Sequence, residues 1–162
     1  MTRTGLAVVA AVLIGAAPAA AAPARATTFS NDVLTPFAWS FGPATGVFGD
    51  ATVAENAPCT EVLQTCDTTL VHLVDPGTLS VQTSTADPTL VDIDVYLFES
   101  DADGTQGAQV SSGVTFSPDE SVGAFLDPGY YLVRVDYMTG AGSYDGVATF
   151  TPPEPEEDEP EE

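Results

Sequence analysis

Hydrophobic and polar residues alternate along much of this chain with a period of two, the spacing that turns one side of an extended strand toward a core and the other toward water. Val91, Ile93, Val95 and Leu97 fall on one face of such a segment, with Asp92, Asp94, Tyr96 and Phe98 on the other. Tyr131, Val133, Val135 and Tyr137 alternate in the same way with Leu132, Arg134 and Asp136. Shorter runs of this kind are Leu70 to Val74 and Thr78 to Val81, and Phe37, Trp39 and Phe41 alternate nearer the start. Turn-forming clusters stand between them: Asp75-Pro76-Gly77, Asp87-Pro88, Asp101-Ala102-Asp103-Gly104, Ser117-Pro118-Asp119, Asp127-Pro128-Gly129 and Gly140-Ala141-Gly142. Glycine there supplies positive φ, proline fixes φ, and aspartate bonds to its own backbone. A turn every ten to sixteen residues or so suits antiparallel strands better than βαβ units, and no stretch keeps helical spacing for three turns. The pattern predicts one all-β domain, an antiparallel β-sandwich of about seven to nine strands.

Both ends depart from the pattern. Near the N-terminus Arg3 precedes an apolar run from Leu6 to Ala17, and small residues then lead to Ala24-Arg25-Ala26. This is the order of an export signal, with an A-x-A site that would release a chain starting at Thr27, and cleavage after Ala22 as the fallback. Twelve strongly apolar residues are too few to span a bilayer roughly 30 Å thick. Pro152 to Glu162 holds only Pro, Glu and Asp, so it can bury no apolar surface and is expected to be a disordered acidic tail. The expected organisation is a signal peptide over 1–26, the sandwich over 27–151 and the tail over 152–162. The expected location is secreted, outside the cell.

Charge narrows the partners. The 162 residues carry 3 Lys+Arg against 24 Asp+Glu, a formal net charge of −21. Nucleic acid and anionic membrane surfaces need clustered Lys and Arg, and this chain has none. The expected partner is an extracellular protein or a polysaccharide, with no membrane insertion. Cys59 and Cys66 are the only cysteines. In an exported chain an even count reads as a disulfide, and closing so short a loop contributes roughly 2.5 kcal/mol by the chain-entropy estimate.

Several segments, taken in order, carry a family resemblance. Cys66-Asp67-Thr68-Thr69-Leu70 opens a strand, and Asp92-Ile93-Asp94-Val95-Tyr96-Leu97 follows a D-x-D-hydrophobic-Tyr pattern. Leu126-Asp127-Pro128-Gly129-Tyr130-Tyr131-Leu132-Val133-Arg134-Val135 resembles an L-x-x-G-x-Y signature strand, and Ser143-Tyr144-Asp145-Gly146 a final g-x-Y-x-G strand. Together they resemble the bacterial pre-peptidase C-terminal domain family, relatives of the collagen-binding domains of secreted collagenases, over about Cys59 to Phe150. The resemblance implies a jelly-roll-like sandwich that serves as a non-catalytic accessory module. It also implies calcium as a candidate cofactor, since some relatives bind calcium, and a role for strand tyrosines, which the collagen-binding relatives use.

Calcium takes six to eight oxygens, so the candidate ligands are Asp92 and Asp94, on one strand face, with Glu99, Asp101 and Asp103 in the bend that follows. A hairpin turn with solvated acids is the alternative. His72 is the only histidine, no G-x-S-x-G elbow is present, and zinc would need more His or Cys, so no catalytic residue is assigned and no enzyme activity is expected. Tyr131 and Tyr137 are candidates for an exposed ligand-binding strip, the alternative being core packing. The expected function is a secreted, non-catalytic binding or accessory module. Behind it stand a calcium-binding structural module of the cell envelope and, more distantly, a carboxylate-dependent hydrolase.

Overall fold

The alternating segments become strands, and the strands are longer than their apolar runs. The computed structural model describes residues 22–46, 66–85, 91–117 and 119–154. Within them eight strands follow in chain order: β1 Arg25–Phe29, β2 Phe37–Thr45, β3 Cys66–Leu73, β4 Gly77–Thr85, β5 Val91–Ser100, β6 Gln106–Gly113, β7 Ser121–Leu126 and β8 Gly129–Thr151. No described residue is helical.

β8, 23 residues long, organises the architecture. Its first half lies between β3 and β5, and its second half lies between β2 and β4. One layer therefore runs β1-β3-β8-β5-β6 and the other β2-β8-β4-β7, with β8 passing from one to the other. The inward face changes parity on the way. Tyr131, Val133, Val135 and Tyr137 point into the core from the first half, and Tyr144, Ala148 and Phe150 from the second. The change falls at Gly140-Ala141-Gly142, which the sequence pattern marks as a turn and the structure keeps within the strand. Gly140 has φ +82, a left-handed conformation that costs a residue with a Cβ, and its carbonyl accepts the Gly46 amide at 2.7 Å.

Between the layers lies one apolar core. Val71 and Leu73 of β3, Ile93, Val95 and Leu97 of β5, and Leu79 and Val81 of β4 are all fully buried there. Phe29 from β1 stacks on Phe150 from the end of β8, with ring centroids 6.0 Å apart, so chain segments far apart in sequence close one end. Burying a side chain of this size contributes roughly 1.5–3 kcal/mol, which is what lets a chain this acidic compact. A second, smaller cluster of Tyr96, Phe98 and Leu132 lies on the opposite face of the β5–β8 layer.

Two features of the fold add to the expected picture. The β1–β3 pairing is parallel, with Arg25 opposite Thr69 and Phe29 opposite Leu73, so the sandwich is antiparallel except along that edge. Parallel partners require a long crossover, and β2 occupies part of the stretch between these two. The expected boundary after residue 26 also falls inside β1, which begins at Arg25. The tail expected over 152–162 lies outside the described residues from 155 onward.

Candidate functional site

Strand parity decides where each candidate ligand goes. β5 turns Ile93, Val95 and Leu97 inward, which puts Asp94 on the opposite face, buried, directly across from Asp136 of β8. The register shifts between Asp92 and Ile93, and Asp92 lies toward Glu120. Burial, with Glu120 nearby, raises the Asp92 carboxyl above its usual range. Asp101 and Asp103 stand beyond the other end of β5. Nine residues of extended chain separate Asp92 from Asp101, about 30 Å at 3.3 Å per residue. Glu99 faces the side opposite to Asp94, and it is exposed. The five acids expected to share an ion are therefore spread over both faces and both ends of a strand.

The Asp101–Gly104 bend instead explains its own acids. The Gly104 amide donates to the Asp101 carbonyl at 3.0 Å, and Gly104 adopts φ +86. Asp103 Oδ1 accepts the Thr105 hydroxyl at 2.8 Å and the Thr105 amide at 3.0 Å, which holds the Asp103 carboxyl below its usual range. This is the hairpin alternative. Among the described residues no three of His, Cys, Asp and Glu gather in a group that could hold a metal ion.

The tyrosine strip is corrected too. Tyr131 and Tyr137 point into the core and are buried. The Tyr131 hydroxyl donates to the Asp127 carbonyl at 2.8 Å, and that of Tyr137 to the Gly142 carbonyl at 3.2 Å. Burial raises both phenols above their usual range. His72 stacks on Tyr130 with centroids 4.4 Å apart and planes 12° from parallel, a packed ring pair across adjacent strands. Cys66 opens β3 and is not a free thiol, while its expected partner Cys59 lies outside the described residues.

Two buried ionic groups were not singled out by sequence. Between the layers Asp67 of β3 points inward, and Arg25 of β1 forms an ion pair with its Oδ2. The Tyr144 hydroxyl donates to the same oxygen, and the Trp39 indole N–H donates to Tyr144 Oη at 3.1 Å. Burial, then Asp67, pushes the Tyr144 phenol well up. On the other face of the β5–β8 layer Arg134 Nε donates to Asp136 Oδ1 at 2.9 Å, and Arg134 Nη1 to Gln106 at 3.3 Å. Asp136 Oδ2 is buried and accepts no hydrogen bond. Its carboxyl rises to about 7, because desolvation outweighs the attraction of Arg134, and Asp94 adds repulsion.

The exposed large apolar side chains are a separate feature. Val110, Val114, Phe116 and Phe125 are exposed, all on the stretch formed by β6, the following bend and β7. Periodicity misses this stretch because β6 has no apolar stripe: Gln106 to Val110 are exposed without a break. The signal available was Val114 and Phe116 beside a Ser-Pro-Asp turn, large apolar residues where solvation favours polar ones.

The arrangement is that of an all-β sandwich in which two ion pairs, Arg25–Asp67 and Arg134–Asp136, are drawn in from the surface. No protein-family profile matches the chain. No curated protein matches it either. Among solved structures it is similar to the pre-peptidase C-terminal domain of collagenase from Bacillus anthracis, at 12% identity and TM-score 0.48, over 76% of this chain and 94% of that one. No helix among the described residues is long and apolar enough to cross a membrane.

Proposed function

We propose that this chain is an exported, non-catalytic β-sandwich module that binds an extracellular protein or polysaccharide through the β6–β7 stretch. One observation carries the reading: the Arg25–Asp67 and Arg134–Asp136 ion pairs are drawn into the fold, while Phe116 and Phe125 stand out in solvent. A general acid or base must reach a substrate proton within hydrogen-bond distance, and Asp67, Asp94 and Asp136 are buried. Exposed aromatic rings, by contrast, give a partner flat contact area at low entropic cost. Cosedimentation with insoluble polysaccharides and fibrillar proteins, with reducing ends and free amines assayed in the supernatant, tests this. The expected result is retention on at least one polymer with no release of product. Product release would make it a hydrolase, and no retention on any polymer would remove the binding reading.

A further inference from the structure

Arg25 is one of only two cations between positions 25 and 151, the other being Arg134. Its guanidinium reaches between the layers to Asp67, whose side chain is 1% exposed. It lies 5.9 Å from the Trp39 ring centroid and 6.0 Å from that of Phe41, and its Nη1 is 3.4 Å from Thr69 Oγ1. The residues before it are also laid against the domain. The Ala24 amide donates to Thr68 Oγ1 at 3.3 Å, and Pro23 packs so closely on Gly104 that a Cβ added there would fall 2.1 Å from the proline ring. A carboxylate buried beside aromatic rings is tolerated when paired and is strongly destabilising when its partner is removed. Here the partner lies in the segment that the Ala24-Arg25-Ala26 site would discard.

We infer that export processing cuts upstream of Arg25, after Ala21 or Ala22, so that the mature chain begins at Ala22 or Pro23 and keeps Arg25 as the internal counter-ion of Asp67. Ala19-Ala20-Ala21 and Ala20-Ala21-Ala22 are both A-x-A triplets and offer the small residues such a cut requires. The step is hydrolysis of one amide: water adds across it, the leader leaves with a carboxylate, and the mature chain gains an α-amine. The inference rests on reading the N-terminal segment as an export leader.

Intact mass and N-terminal sequencing of the exported protein test it directly. A first residue of Ala22 or Pro23 is expected. A first residue of Thr27 overturns the inference while leaving the export reading standing, and retention of Met1 overturns both. Purified chains provide the second arm. A chain starting at Thr27, and one starting at Pro23 with Arg25→Gln, are expected to melt on the order of 10 °C below the unaltered Pro23 chain. Asp67→Asn in the Thr27 chain should recover most of that loss, since a neutral amide needs no counter-ion, and it does so even where the Thr27 chain alone fails to fold. Equal melting of the Pro23 and Thr27 chains, or no recovery with Asp67→Asn, overturns the inference.

Discussion

Asp136 sits where desolvation and pairing oppose each other. Its carboxyl is raised from 3.8 to about 7 by burial, against the pull of the adjacent Arg134. A group with a raised folded-state pKa binds protons more tightly in the native chain than in the unfolded one between those two values. Its contribution to stability is therefore greatest at low pH and is lost as pH rises through about 7. Thermal melts should fall from pH 5 to pH 8. Asp136→Asn, which keeps an oxygen for Arg134 Nε but cannot ionise, should flatten that slope; an unchanged slope would place the titration elsewhere. Little of this was legible in the sequence. Arg134-x-Asp136 on an alternating strand reads equally well as a solvated pair, because a period of two separates two faces without saying whether both are covered. Tyr131 and Tyr137 show the same limit, since their spacing fixed a shared face while the second layer made that face the core.

At the scale of elements, β8 accounts for most of what pattern reading finds and for its clearest error. Its two halves read as separate strands because each keeps its own alternation, odd positions up to Tyr137 and even positions from Tyr144. That change of parity across two glycines is itself the sign of a strand crossing between layers, since glycine inside a strand marks a bend as readily as a turn. Gly140→Ala should cost about 1–2 kcal/mol, because alanine must hold φ +82, and chemical denaturation would measure it. A neutral substitution would mean that β8 is broken at this point. β6 escapes detection for the opposite reason: an edge strand with five successive exposed residues leaves no apolar stripe to count.

For the whole molecule, self-repulsion between the acids opposes compaction. Seventeen acids and Arg134 between Thr27 and Thr151 leave −16, and only Arg25 is added when β1 is complete. Salt screens such repulsion over about 10 Å at 0.1 M, so the melting temperature should rise steadily with NaCl between 0.05 and about 1 M. A flat response would show that the acids are too dispersed to matter. The same charge opposes approach to anionic surfaces, in keeping with the proposed contact through uncharged rings. The measurement that bears most directly on this account is adsorption of the Phe116→Ser/Phe125→Ser chain to the polymer that retains the parent protein. Both rings are exposed outside the core, so the variant should melt within a few degrees of the parent, and its affinity should fall at least about tenfold. Unaltered adsorption by a folded variant would contradict the account and move the binding surface off the β6–β7 stretch.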